Sequence, residues 1–279
     1  MKTGKASRTA YRVAVRRAAH QLLDSPRVLE DPIAVPLLGS GFGLDGAREA
    51  SPVARTFRAF MAARSRFAED RLAEAVQAGV TQYVVLGAGL DTFAYRNPYK
   101  SLRVFEVDFP ATQEWKRELL EEAAIGVPVT LTFVPLDFEQ HTLSEGLAAA
   151  QFDAARSAFF SWLGVVPYLT REAFRSTLRA IAALPAGTAV SFDYALSPES
   201  LSLMRRLALK ALAARVAAAG EPFQLFFTPP ELEAELRSAG FTRVEQCDSD
   251  ELNQRYFQNR ADGLQLPSEG LGMMATAWV

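Results

Sequence analysis

A β-branched apolar run, Tyr83-Val84-Val85-Leu86, breaks into Gly87-Ala88-Gly89-Leu90-Asp91-Thr92. Two glycines straight after a buried strand let backbone approach a ligand closely, and the carboxyl edge of such a strand is where open α/β sheets bind cofactors. An ordinary tight βα turn uses the same pattern, so the neighbouring segments carry weight. Arg103-Val104-Phe105-Glu106-Val107-Asp108 reads as a second strand ending in acid, at the spacing where a carboxylate grips the two hydroxyls of a ribose. Phe133-Val134-Pro135-Leu136-Asp137-Phe138 ends a third strand the same way. Aspartate at such junctions also serves as a helix cap or turn residue. Three strand ends in succession are harder to assign to capping alone.

The glycine turn discriminates between cofactors. A dinucleotide fingerprint wants glycine three residues beyond Gly89, where a helix turn meets the pyrophosphate, but Thr92 stands there with Asp91 before it. A carboxylate beside a pyrophosphate repels it. S-adenosylmethionine has no phosphate, and acidic residues around the turn can meet its ammonium group. Asp91 therefore argues against NAD.

The elements that must position these residues read as an α/β fold. Ser51-Pro52 opens and Gly79 closes a helix over residues 53–78, and everything before Gln82 reads as helical. Strands are expected over 82–86, 103–108, 130–135, 157–162 and 188–194, with helices near 110–124, 141–149 and 170–183. Such alternation argues a mostly parallel sheet covered on both faces. A helix over 198–219 capped by Ser197 breaks the rhythm and reads as a lid insertion over about 196–228. Thr228-Pro229-Pro230 restarts a helix that Gly240 ends, and 242–247 and 272–278 supply two final strands, the last antiparallel. The expected organisation is a helical cap over 1–80 and a Rossmann-like domain over 81–279.

Bulk properties suit a soluble cytoplasmic enzyme. With 30 basic and 32 acidic side chains among 279 residues, no global field draws the chain to nucleic acid or a membrane. Cys247 alone cannot form an internal disulfide, and it reads as a small buried apolar residue. No apolar run is long enough to span a bilayer. Met1 to Leu23 carries no acid, while Arg8, Arg12 and Arg16 share one helix face: a solvated face, a basic lid for an anionic substrate or, on composition alone, an organelle transit peptide.

Leu86-Gly87-Ala88-Gly89-Leu90-Asp91-Thr92 with Tyr95-Arg96, Phe105-Glu106-Val107-Asp108-Phe109-Pro110 and the Asp31-Pro32-x-Ala34 segment resemble the leucine carboxyl methyltransferase family, a branch of the class I S-adenosylmethionine-dependent methyltransferases. The resemblance runs over most of the chain. It implies the class I methyltransferase fold, S-adenosylmethionine as cofactor and S-adenosylhomocysteine as product. It assigns Arg64 to the cofactor carboxylate, Gly87, Ala88 and Gly89 to its cradle, Asp108 to the ribose, and Asp137 and Phe138 to the adenine. From residues alone, Arg64 reads as a surface arginine paired with Glu69 or Asp70. In many members a glutamate ends the fourth strand, where Trp162-Leu163-Gly164 places Leu163. Trp162 there suits either a core position or cation-π contact with the sulfonium.

A methyl-accepting carboxylate is ionised at neutral pH, whereas a phenol benefits from a base. His20 and His141, the two histidines, read as solvated or capping. Their scarcity leans toward carboxyl methylation of a small acidic or polar acceptor. Tyr95, Tyr168 and Asp193 are the candidates for positioning it, with Arg8, Tyr11, Arg12 and Tyr194 for capture. No metal site is expected. A cofactor-binding protein without turnover and an NAD-dependent dehydrogenase are the competing classes; the second lacks its third glycine and a catalytic Tyr-Lys or His constellation.

Overall fold

The structure, a computed structural model, describes residues 8–39, 42–137, 141–218, 220 and 222–279. Among them one sheet holds β1 (Gln82–Leu86), β2 (Arg103–Asp108), β3 (Leu131–Pro135), β4 (Phe159–Trp162), β5 (Ala189–Ala195), β6 (Arg243–Cys247) and β7 (Gly272–Trp278). Their order is β3-β2-β1-β4-β5-β7-β6. The first five run parallel, and β7 lies antiparallel between β5 and β6. Every residue of β1 and β5 is buried, as strands covered on both faces require. The chain runs outward from β1 to β3 and then crosses back to β4. The carboxyl ends of β1 and β4 thus flank the crevice at which open α/β sheets bind ligands.

Strand alternation divides the core. Val84, Leu86, Phe105, Phe160, Trp162 and Phe192 face a layer containing α5 (Leu143–Ala149), α6 (Arg171–Ala182) and α8 (Pro229–Ala239). On the other face Tyr83, Val85 and Val104 meet Leu72 of α3 (Pro52–Gln77). Further along α3, Ala59, Ala62, Ala63 and Phe67 pack with Met274 of β7 and Leu252 of α9 (Ser249–Tyr256). Ala14 and Ala18 of α1 (Arg8–Leu23) pack with Leu90 and with Leu120 of α4 (Pro110–Glu122).

The expected caps are present. Ser51 Oγ accepts from Ala54 N–H, Thr228 and Glu231 form a capping box, and Gly240 at φ 113° ends α8. Three expectations need correction. Residues before Gln82 are not all helical: 24–39 and 42–45 form turns and one short 3-10 turn, Pro36–Leu38, between α1 and the short α2 (Gly46–Glu49). Pro26, Pro32 and Pro36 withhold the donors a helix needs there. Ser197 makes no side-chain cap, because Leu201 is extended after a 3-10 turn and α7 begins only at Leu203, running to Ala218. α9 was not anticipated, although Asp248 and Glu251 form its capping box.

The insertion leaves and rejoins the sheet at one point. Leu196 and Phe227 bridge in parallel beyond β5, and Gln224 N–H donates to Pro167 O at 2.7 Å, tying the returning segment to the loop after β4. Leu209 is the buried residue of α7. Among the described residues no helix is long and apolar enough to cross a membrane.

Candidate active site

The glycine turn sits at the crevice. Gly87 and Gly89 adopt φ of 64° and 50°, and Gly87 N–H and Ala88 N–H both donate to Val107 O. A Cβ on Gly87 would lie 2.4 Å from Val165 Cγ2, and one on Gly89 3.1 Å from Ala10 Cβ. Glycine is required by conformation and by space. Asp108 closes the turn from β2: Oδ2 accepts from Gly89 N–H at 2.5 Å and Oδ1 from Phe109 N–H at 2.6 Å. Burial pushes its carboxyl upward despite those donors. Asp137 follows β3, half-buried, so three carboxyl ends line up across β3, β2 and β1.

On the far side of the crevice stands a buried ion pair. Arg64 projects from α3, and its Nη1 donates to Asp193 Oδ2 of β5 at 3.2 Å. Asp193 Oδ1 accepts from Gly164 N–H at 2.5 Å. The guanidinium lies against Gly164, where a Cβ would fall 2.8 Å from Nη1. A guanidinium carries five N–H donors in a planar fork, so this single bond leaves it under-used. A cradle that only glycine permits, flanked by the Asp108 carboxylate and by an arginine with spare donors, fits a nucleoside bearing an amino acid end.

α1 covers the turn through a charged network. Arg17 Nη1 donates to Asp91 Oδ2 at 3.0 Å, and Nη2 to Asp31 Oδ2 and to Thr92 Oγ1, both at 2.6 Å. Thr92 Oγ1 also donates to Asp31 Oδ2, and Asp31 Oδ1 accepts from Ala34 N–H. Burial opposes ionisation of Asp31 and Asp91, but Arg17, with further help from Arg96, outweighs it and holds both below the usual carboxylate range. Arg96 is itself paired with Glu69. Behind α1, Arg58 of α3 grips Asp24 through Nε and Nη2, and Asp24 Oδ2 accepts from His20 Nδ1–H at 2.8 Å.

Comparison with known proteins decides the family. A model described as Leucine carboxyl methyltransferase matches residues 10–182 of the 279. A candidate S-adenosyl-L-methionine-dependent methyltransferase of Bacillus subtilis strain 168, YktD, is 33% identical, with 95% of each chain covered. The chain belongs to the leucine carboxyl methyltransferase family. Another relative of the same designation, from Saccharopolyspora erythraea, is 33% identical over 73% of this chain and 70% of its own. Solved structures share the fold: a candidate methyltransferase from Thermobifida fusca (TM-score 0.59, 19% identity, 99% and 96% coverage) and a DUF574 family protein from Streptomyces avermitilis (0.57, 18%, 94% and 99%). Membership makes the chain an S-adenosylmethionine-dependent methyltransferase; the acceptor is not fixed by it.

Within this methyltransferase several sequence expectations change. Arg64 is neither on the surface nor paired with Glu69 or Asp70; its partner is Asp193. The Asp91 carboxylate is paired with Arg17 and also accepts from Phe93 N–H at 2.8 Å. His20 is buried rather than solvated, and its Nε2 accepts from Val28 and Leu29 N–H, so it fixes the turn after α1. Tyr194 is unsuited to substrate capture: strand alternation turns it away from Asp193, and its hydroxyl donates to Gln246 Oε1 at 2.5 Å. Trp162 stacks on Phe174 at 5.6 Å in the core of that same face, away from Arg64. Cys247 is buried, and its thiol is pushed up to about 12 by burial.

The remaining candidates scatter. Tyr11 and Arg12 are exposed near the start of α1, Tyr11 beside Trp115. Arg16 instead pairs with Glu49. Tyr168 packs against Phe223 at 5.2 Å, next to the insertion. The Tyr95 hydroxyl is buried without a hydrogen-bond partner, its ring below Lys116 Nζ at 5.4 Å. The Arg8 side chain and Phe138 lie outside the described residues. Sequence reasoning missed Arg17, whose chemistry is visible only once α1 docks on the turn. It also missed Glu106 and Lys116, buried partners at 2.5 Å whose spacing in sequence spans a strand end and a helix. Among the described residues no group of three or more His, Cys, Asp and Glu could hold a metal ion.

Proposed function

We propose that this methyltransferase transfers the cofactor's methyl group to an oxygen of a small acidic or polar molecule, a carboxylate in preference to a hydroxyl. The observation that carries the preference is the commitment of the acid-base groups. Asp193 is held by Arg64 and Gly164, both ring nitrogens of His20 are engaged in the cap, and His141 is exposed before α5. A carboxylate, with pKa near 4, needs no base, whereas a phenol near 10 does.

Bound S-adenosylmethionine supplies an electrophilic methyl on sulfonium, and the acceptor oxygen forms the C–O bond as the C–S bond breaks. The chain contributes alignment and exclusion of water. Arg64 takes the cofactor carboxylate, Gly87, Ala88 and Gly89 admit its backbone-facing edge, and Asp108 binds the ribose. Asp137 and Phe138 flank the adenine. Tyr168 stands beside the acceptor, and the exposed Arg12 and Tyr11 favour an anion at the mouth, which supports a carboxylate substrate. Tyr95 is a weaker candidate, its hydroxyl being enclosed.

The test is transfer of isotopically labelled methyl from the cofactor to panels of small carboxylic acids and phenols. Methyl esters release methanol in mild alkali and aryl ethers do not. Base-labile label supports the reading, and base-stable label confined to phenols overturns the carboxylate assignment.

A further inference from the structure

We propose that Arg64 and Asp193 together form a receptor for a zwitterion, with Asp193 holding the ammonium group of the cofactor's amino acid end while Arg64 holds its carboxylate. The proposal rests on the cofactor assignment above and gives Asp193 a positioning role toward the cofactor rather than toward the acceptor.

Three observations carry it. First, both side chains are more than nine-tenths buried, and each retains capacity for further bonds. Arg64 spends one donor on Asp193, and Asp193 spends one oxygen on Gly164 N–H and the other on Arg64, leaving lone pairs on both. Arg64 is not among the fully enclosed polar groups left without a partner, so its spare donors stay open to a ligand. Second, the pair has the geometry of its ligand. An α-amino acid carries its two charges on one carbon, and the facing pair presents the complementary charges at 3.2 Å, so four charges alternate around a square.

Third, the sheet register leaves the task to this residue. Trp162 pairs with Phe192, so the same register carried one residue past the end of β4 would set Leu163 level with Asp193. Leu163 brings no charge and packs against the apolar cluster that includes Phe67 and Met274. Across 159–168 and 189–197, the ends of β4 and β5 with their following loops, Asp193 is the sole acid. Ser191, two residues earlier on the same face, is taken by Thr276 Oγ1–H, so it offers no substitute.

The arrangement also explains how Arg64 is kept in place before the cofactor arrives. Asp193 neutralises it, and Gly164 leaves the room its fork needs. A side chain at Gly164 would displace the guanidinium. An anionic ligand without an ammonium group would compete with Asp193 for Arg64, whereas a zwitterion satisfies both members at once. Discrimination against such anions is therefore built into the pair.

The experiment compares S-adenosylhomocysteine with its des-amino analogue, which keeps the adenine, ribose, thioether and carboxylate but lacks the amine. Each is titrated calorimetrically into the wild-type chain and into Asp193→Asn. The variant should lose at least tenfold in affinity for S-adenosylhomocysteine and change less than threefold, or tighten, for the analogue. Equal losses for the two ligands, or none for either, would overturn the proposal. Should Asp193→Asn fail to fold, the wild-type chain alone decides: it must bind S-adenosylhomocysteine at least tenfold more tightly than the analogue, and equal affinity overturns the assignment. Binding of neither ligand by the wild-type chain would instead sink the cofactor reading on which this one stands.

Discussion

At Gly87 two costs of a side chain coincide. Alanine there meets a left-handed φ of 64° and a methyl of Val165 at 2.4 Å. The conformational part costs about 1–2 kcal/mol for an L-residue. Gly87→Ala should lower unfolding free energy by about 1–3 kcal/mol in urea titration, and adding Val165→Ala should recover the steric part alone. Full recovery would show that φ contributes nothing. At Asp108, replacement by alanine should weaken S-adenosylhomocysteine binding by about 1–3 kcal/mol in calorimetry. An unchanged affinity in a folded variant would remove the ribose assignment. Glu106 offers a pH test. Burial raises its carboxyl from 4.5 to about 7 although Lys116 pulls it down. The folded chain therefore keeps a proton that the unfolded chain releases, and the stability this confers is present below about pH 4.5 and is lost as pH rises to about 7. Replacing the pair by Glu106→Gln with Lys116→Met should flatten the fall in urea stability between pH 5 and 8. A profile unchanged from the wild type would show that Glu106 titrates normally.

Among the elements, α1 is tied down by a charged network. Arg17 joins it to Asp31, Asp91 and Thr92, and Ala10 abuts Gly89. Arg17→Met would leave Asp31 buried with its main counter-charge removed, at a cost of about 3–5 kcal/mol. The measurement is urea unfolding, with limited proteolysis reporting release of α1. Loss below 1 kcal/mol would mean that apolar packing of Ala14 and Ala18 holds the helix unaided. Most helices were legible because their ends carry local chemistry: Ser51 and Thr228 cap, and Gly240 stops. α9 carries an equally local signal in the capping box of Asp248 and Glu251. The turns between α1 and α2 depart from the expected helical run because Pro26, Pro32 and Pro36 withhold donors there. The Asp31-Pro32-x-Ala34 resemblance acquires a physical reason here: Asp31 ties that strap to both Arg17 and the glycine turn.

For the molecule as a whole, the proposed site, with the cofactor between β1 and β4 beneath α1, would couple ligand binding to global stability. S-adenosylhomocysteine at 100 times its Kd should add about 2.7 kcal/mol, raising Tm by about 5–10 °C, while NAD should leave it unmoved. A shift produced by NAD alone would reverse the cofactor assignment. The strands, their parallel succession and the glycine turn after the first of them were legible in the sequence, since each depends on residues within a turn or a strand of one another. Alternation along β5 even separates Asp193 from Tyr194. What alternation cannot state is which helix covers each face, or which strands lie side by side. Arg64 and Asp193 are 129 residues apart and meet only because β4 joins β1 and β5, with α3 laid across that edge. The capture of Asp91 by Arg17, 74 residues away, arises the same way. Local sequence determined the chemistry at the strand ends, through spacing and backbone conformation; tertiary packing decided which charges meet, because that depends on strand order and helix docking over long loops.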